Sequence, residues 1–224
     1  MSPNEILTSL SQLATCDLSD AMVKMGIPTG GLLPDLHSYS PAIDTGRLIG
    51  QAFTVKMVPT ADPGLKPTEH FVDACPEGRV MVLLQPPGMK NAIWGGLMST
   101  GAKQKGVKGL IVIGGIRDLA ENRDLGFPVK QIWAKYHSTL GSATFTRSSQ
   151  LDVPLEIPFD GEISTIVKPG DWVVGDEDGV VIVPQDKAEE VVLRAQKGKE
   201  ADENIRAELE RGAGMGESIK KFRG

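Results

Sequence analysis

Two cysteines, Cys16 and Cys75, are all the thiols in this 224-residue chain. They lie far apart, form no metal-ligand or redox motif, and are too few for a disulfide framework, so a reducing compartment is the natural setting. Histidine is equally scarce. His37, His70 and His137 stand in no HExxH or other ligand spacing, and each reads as a surface or hydrogen-bonding residue. No apolar run approaches the length of a membrane span. Met1-Ser2-Pro3-Asn4-Glu5 lacks the basic start and apolar stretch of a signal peptide. A cytoplasmic protein with no membrane partner is expected. Positive charge is not in excess either: the formal net charge is −5, which argues against nucleic acid as the main partner. No GxSxG, Walker loop or GxGxxG follows a strand pattern. Asp176-Glu177-Asp178-Gly179 lacks the remaining ligand spacing of a calcium loop and reads as a hairpin turn.

What the chain does hold is glycine and proline, 26 and 15 of them, with hydrophobic residues at 40%. That composition suits short strands joined by tight turns around a real core. No internal repeat, low-complexity tract or linker divides it, and residues 1–224 read as one α/β domain. A helical stripe runs from Asn4 to Lys24, interrupted at Asp17-Leu18-Ser19-Asp20, which could cap a second short helix. Leu48 to Val58 and Arg79 to Gln85 read as strands, Ala92 to Lys105 as a helix, and Leu110 to Ile113 as a buried strand. Val80 to Ile113 is thus a strand–helix–strand crossover. A further strand is expected to begin at Phe127-Pro128-Val129, and Leu155 to Pro184 reads as all β, with turns at Pro169-Gly170-Asp171 and Glu177-Asp178-Gly179. Gln185 to Arg211 is a long charged helix with a thin apolar side and a break or bend expected at Gly198. Such a stripe fits packing against a neighbouring subunit and a solvated helix on its own domain equally well.

The chemistry concentrates at Gly114-Gly115-Ile116-Arg117-Asp118. A β-branched run closed by two glycines reads as a strand ending in a tight turn, at the sheet edge where α/β folds commonly bind ligands. Arg117 and Asp118 could hold an anionic substrate and a divalent metal together. They could also be a surface ion pair closing a loop, and five residues alone leave both open. Asp118 and Glu121 are three apart, a spacing that puts two carboxylates on one face of a helical turn. Hard cations such as Mg²⁺ or Mn²⁺ prefer such oxygen ligands. Upstream, Trp94-Gly95-Gly96-Leu97-Met98 starts a helix whose unpaired backbone N–H groups suit a carboxylate.

Gly96, twenty residues, Arg117-Asp118, two residues and Glu121 resemble the G-X20-R-D-X2-E/D pattern of RraA-like proteins. These include 4-hydroxy-4-methyl-2-oxoglutarate aldolases and regulators of ribonuclease E activity. The resemblance covers nearly the whole chain, with Asp17-Leu18-Ser19-Asp20-Ala21, Trp94-Gly95-Gly96, Phe127-Pro128-Val129 and Gly175-Asp176-Glu177-Asp178-Gly179-Val180 in the same order. It implies a β/β/α swivelling-domain sandwich with a long C-terminal helix, assembled as a homotrimer or hexamer. It also implies a class II aldolase that cleaves a small oxo acid to pyruvate and decarboxylates oxaloacetate with Mg²⁺ or Mn²⁺. In that family picture Asp118 and Glu121 serve the metal and Arg117 the substrate carboxylate and developing enolate oxygen. Backbone amides of Gly95, Gly96, Leu97 and Met98 hold the pyruvate carboxylate, and a C-terminal-helix glutamate, best matched by Glu200 and next by Glu203, reaches the site of a neighbouring subunit. Bacterial aldolases often carry an aspartate where this chain has Gly96, so the proton route departs from theirs. No Schiff-base role is needed from Lys90 or Lys103. The alternatives are a non-catalytic ribonuclease E regulator, which Glu121 disfavours, and a same-fold lyase for another oxo acid, its pocket reshaped by Thr60 to Asp73 and Trp133 to Ser142. Methyl transfer, another label family members have carried, lacks its glycine-rich loop here.

Overall fold

The computed structural model describes residues 1–39, 47–125 and 132–223. The N-terminal stripe forms two helices, α1 (Pro3–Leu10) and α2 (Thr15–Lys24). The break falls at residues 11–14, earlier than the Asp17-Leu18-Ser19-Asp20 expectation. Asp17 instead sits in the first turn of α2, where its carboxylate accepts the Ala14 N–H at 2.9 Å and satisfies one of the orphan donors of a helix start. The chain then gives β1 (His37–Ser38), β2 (Leu48–Pro59), α3 (Phe71–Ala74), β3 (Val80–Leu84), β4 (Ala92–Trp94), α4 (Gly96–Gln104), β5 (Gly109–Ile116), α5 (Leu119–Asp124) and β6 (Ile132–His137). It continues through β7 (Thr146–Leu151), β8 (Leu155–Asp160), β9 (Ile163–Val167), β10 (Trp172–Asp176) and β11 (Gly179–Val183), and ends in α6 (Ala188–Glu210) and α7 (Met215–Arg223). The strand expected at Phe127-Pro128-Val129 lies outside the described residues.

Among the described residues, nine strands form one mixed sheet ordered β1-β6-β5-β3-β2-β10-β11, with β4 added to β5 and β7 to β2. The middle of it, β2, β3, β5 and β6, is parallel, as the crossover reading requires. The 12-residue β2 is long enough to serve two neighbours on one edge. Its first residues pair with β10 (Gln51 opposite Trp172) and its last with β7 (Val55 opposite Leu151). The hairpin β8–β9 forms a separate two-stranded sheet.

The period of two along each strand sorts the core into faces. Met81, Leu83, Leu110 and Val112 join Phe71, Val72 and Ala102 under α3 and α4. Their neighbours Val80, Val82, Ile111 and Ile113 face Leu155, Ile157 and Val167 of the β8–β9 hairpin. A third cluster buries Leu10, Leu18 and Met22 of the N-terminal helices against Val191, Val192 and Ala195 of α6 and against β10 and β11. The thin apolar side of α6 is therefore used within its own chain. α6 also runs through Gly198 without a break. A helical glycine costs only about 1 kcal/mol, and packing on α1, α2 and α7 holds both flanks. Among the described residues no helix is long and apolar enough to cross a membrane.

Candidate active site

The Gly114-Gly115 pair is not a turn. β5 continues through both glycines to Ile116 and is buried along its whole length. The glycines are there because other side chains fill the space beside them. A Cβ on Gly114 would lie 2.2 Å from Gln85 Oε1, and one on Gly115 would lie 2.5 Å from the Tyr136 ring. Gln85 Oε1 accepts the Gly115 N–H at 2.9 Å, while Gln85 Nε2 donates to the Asn91 carbonyl at 2.8 Å. Asn91 Nδ2 donates in turn to Thr146 Oγ1 at 2.8 Å. These buried amides satisfy one another, which is the condition for keeping them in a core.

Ala92-Ile93-Trp94 is a strand rather than the start of the expected helix. Trp94 lies opposite Ile116 in the parallel pairing, and the Arg117 N–H donates to the Trp94 carbonyl at 3.0 Å. This short pairing sets the two chemically interesting segments, 94–98 and 114–118, side by side. α4 then begins at Gly96, and the Gly96 N–H donates to Asp118 Oδ2 at 3.0 Å. One amide expected to hold a substrate carboxylate is thus committed to Asp118. As the next two residues of a helix start, Leu97 and Met98 have amides with no partner inside the helix.

Asp118 adopts a left-handed backbone, φ 58° and ψ 44°, at a cost of about 1–2 kcal/mol for a residue with a Cβ. Asn122 grips both sides of it. Its backbone N–H donates to the Asp118 carbonyl and its Nδ2 to the Arg117 carbonyl, each at 2.9 Å. The direction of the Asn122 amide is itself dictated. Trp94 Nε1, which can only donate, gives its proton to Ser99 Oγ at 2.7 Å. The Ser99 hydroxyl then donates to Asn122 Oδ1, leaving Nδ2 for Arg117. Trp94, Ser99 and Asn122 are all buried.

Glu121 lies in the first turn of α5, with its carboxylate directly over Gly96. A Cβ on Gly96 would sit 2.1 Å from Glu121 Oε2, so the glutamate fills the volume that a side chain at position 96 would take. Arg117 Nε stands 3.5 Å from Asp118 Oδ2, with both side chains partly exposed. The surface ion pair considered from sequence does exist, and alone it is worth at most about 1 kcal/mol. It also borders two hollows. One, of about 100 Å³, is lined by Trp94, Gly95, Leu97, Met98 and Ser142, and the other, of about 300 Å³, by Leu119, His137, Ser138 and Thr139; Arg117 and Asp118 line both.

Arg117, Asp118, Glu121 and Gly95 to Met98 therefore come together. Glu200 does not join them within the chain, because α6 packs on α1, α2 and α7. His70 is the hydrogen-bonding residue expected, accepting the Val72 N–H at the start of α3. His137 is exposed, the surface position expected of it, and it lines the larger hollow. Ser99, Asn122, Gln85 and Asn91 escaped the sequence reading. Their one signal was polarity beside apolar runs.

The model of the RraA-like family (Aldolase/RraA) matches residues 15–182. The chain belongs to the RraA-like family. It is 29% identical over 202 residues to a Halalkalibacterium halodurans protein provisionally named 4-hydroxy-4-methyl-2-oxoglutarate aldolase, covering 90% of this chain and 87% of that one. It is 26% identical to the Legionella pneumophila protein DlpA across 95% of this chain, but spans only 33% of DlpA's length. Among solved structures, an uncharacterized Pseudomonas syringae protein superposes with TM-score 0.79 at 28% identity, covering 97% of this chain and 99% of the other. Streptomyces coelicolor RraAS2 superposes with TM-score 0.77 at 24% identity over 92% and 99%, which establishes the shared RraA fold.

Proposed function

We propose that the protein is a divalent-metal-dependent carbon–carbon lyase that releases pyruvate from 4-hydroxy-4-methyl-2-oxoglutarate-type acids and decarboxylates oxaloacetate. The observation that carries this reading is the convergence of Arg117, Asp118 and Glu121 on the start of α4. Aldolase names among relatives at about 30% identity support it.

The donor set fits Mg²⁺ or Mn²⁺. Among the described residues no three His, Cys, Asp or Glu side chains group together, which disfavours a closed protein cage. Mg²⁺ keeps several waters and is commonly held by one or two carboxylates plus substrate, and Asp118 and Glu121 are those two carboxylates. Bound there, the cation supplies Lewis-acid stabilisation of charge on the 2-oxo oxygen.

The chain's own groups do the rest. The Leu97 and Met98 amides and the Arg117 guanidinium bind the pyruvyl carboxylate, and Arg117 stabilises the oxyanion that develops beside it. As C3–C4 breaks, the C4 hydroxyl loses its proton and the bonding electron pair enters the pyruvate enolate. Protonation at C3 completes the release. Glu121, in the volume of the missing residue-96 side chain, would take the C4 proton with the carboxylate oxygen that is not given to the cation. Oxaloacetate breaks the same C3–C4 bond with CO₂ as the leaving half; its C4 is a carboxylate with no hydroxyl proton to lose, and protonation at C3 again gives pyruvate. A homotrimer, or a hexamer of two trimers, would add Glu200 of the partner subunit; Leu97, 87% exposed beside the site, supports such a cover.

The test is pyruvate release from 4-hydroxy-4-methyl-2-oxoglutarate and oxaloacetate with Mg²⁺ and then with EDTA. Turnover that EDTA abolishes and Mg²⁺ restores is expected. Undiminished turnover in EDTA defeats the metal role, and folded protein silent under both conditions supports a binding protein instead.

A further inference from the structure

Arg117 is bonded at its base and bare at its tip. Its backbone N–H donates to the Trp94 carbonyl at 3.0 Å, its own carbonyl accepts from Asn122 Nδ2 at 2.9 Å, and its Nε stands 3.5 Å from Asp118 Oδ2. Among the described residues neither Nη1 nor Nη2 has a protein acceptor, and the side chain is 45% exposed. A long side chain so placed has many rotamers open to it. Something besides hydrogen bonds must set the direction of the tip.

Gly141 is the neighbour that does so. A Cβ built on it would lie 2.7 Å from Arg117 Nη1, 3.3 Å from Cζ and 3.6 Å from Nη2. The guanidinium therefore occupies the space that a side chain at residue 141 would need. The backbone of Gly141 is outside the left-handed region, so its conformation does not call for glycine; the guanidinium does.

The corner that carries Gly141 is pinned on both sides. The Leu140 carbonyl accepts the Ala92 N–H at 2.8 Å, and the Leu140 N–H donates to Ser138 Oγ at 3.2 Å. After it, the Ser142 carbonyl accepts the N–H groups of Phe145 and Thr146, each at 2.8 Å. Ala92 opens β4, the strand whose Trp94 carbonyl takes the Arg117 N–H. One strand thus locates both the backbone of Arg117 and the surface on which its tip rests. Ser138 and Thr139 line the larger hollow and Ser142 the smaller, so the chain passes from one to the other at residue 141, and Arg117 lines both.

We propose that Gly141 is a positioning residue for Arg117: its missing side chain lets the guanidinium lie across the passage between the two hollows, and its pinned corner keeps the guanidinium there. This rests on the lyase reading above, in which Arg117 meets the pyruvyl carboxylate and the developing oxyanion. An arginine oriented before substrate arrives loses less rotamer freedom on binding. A misplacement of about 1 Å in such a group can cost roughly 10²-fold in rate. A methyl group at residue 141 meets the far end of a flexible side chain rather than backbone, so it is accommodated by moving the guanidinium and not the fold.

The experiment is Gly141→Ala, made in the native protein and again beside Arg117→Ala. The backbone accepts alanine, and alanine restricts the unfolded chain, so Tm should stay the same or rise slightly. Activity should move the other way. With Mg²⁺, kcat/KM for pyruvate release should fall by about tenfold to 10²-fold, and the Kd for pyruvate, read by calorimetry, should rise severalfold. Beside Arg117→Ala, the same substitution should change neither quantity, because the group it displaces is already gone. A glycine that served only the fold would lower Tm and cost the same in both backgrounds. Unchanged kinetics and affinity in the single variant, or an equal loss in the two backgrounds, overturns the assignment. Native protein that neither binds pyruvate nor cleaves 4-hydroxy-4-methyl-2-oxoglutarate or oxaloacetate defeats the lyase reading, and this inference falls with it. Native protein that binds and cleaves, with Gly141→Ala silent, defeats only the role of Gly141.

Discussion

Leu110 to Ile113 and Gly114 to Asp118 are consecutive on one segment, yet they are held by different forces. The first four residues alternate between two apolar clusters and are at most 5% exposed. Beyond the ladder hydrogen bonds that β5 makes to β3 and β6, their side chains are placed by area removed from water, which is non-directional and tolerates small shifts. The next five are held by named hydrogen bonds: Gln85 on Gly115, the Trp94 carbonyl on Arg117, Asn122 around Asp118. Directional bonds fix orientation as well as position, which a pair of charged side chains needs if it is to meet a substrate at a set angle. Stability should therefore reside mainly in the first half and activity in the second.

The largest effect that could break this division is at the charged pair itself. Arg117→Ala and Asp118→Ala should each lower kcat/KM for pyruvate release by roughly 10²–10³-fold, the usual loss when one preorganised electrostatic contact is removed. Thermal melting should barely move for Arg117→Ala, because an exposed ion pair stabilises little, and should fall modestly for Asp118→Ala, which also loses the hydrogen bond from the Gly96 N–H at the start of α4. A large fall in Tm with modest loss of activity would reverse the assignment of the two halves.

Ile111→Ala should do the opposite. Ile111 is fully buried between strands, so its truncation should cost about 2–5 kcal/mol of stability. At temperatures where the variant stays folded, kcat/KM should remain near that of the unmodified protein. Steady-state kinetics beside a denaturant titration reads both quantities.

Asn122→Asp should give the smallest effect and the sharpest one for the comparison. It replaces the donor facing the Arg117 carbonyl with an acceptor, while leaving volume almost unchanged. The hydrogen bond chain from Trp94 through Ser99 then has no donor to pass on, and the left-handed Asp118 loses one of its two clasps. A roughly tenfold fall in kcat/KM is expected, carried by kcat more than KM, with a smaller loss of Tm than Ile111→Ala. Kinetics indistinguishable from the unmodified protein would show that Asp118 holds its conformation without this clasp.

Much of the first half was legible in the sequence. A run of Leu, Ile, Val and Ile with a helix before it already reads as a crossover strand. The candidate site was legible as a spacing, Gly96 to Arg117-Asp118 to Glu121, without its geometry. The glycine pair was misread as a turn because the side chains that require it, Gln85 and Tyr136, come from other strands. The Ser99–Asn122 link spans 23 residues and the Gly115–Gln85 link 30, separations over which no periodicity operates. His137 is at the surface, as its sequence context suggests, but only strand register, which sets it opposite Ile116, brings it to the hollow that Arg117 lines.

By itself the sequence determined the period of the central strands, the charge balance and the order of the motif residues. Each of these depends on neighbours along the chain. Tertiary structure decided which amide of α4 is already occupied, that Glu121 fills the space over Gly96, and which way the Asn122 amide points. These depend on atoms meeting across the sheet, where a hydrogen bond is made or lost over a few tenths of an ångström and no local pattern records the outcome.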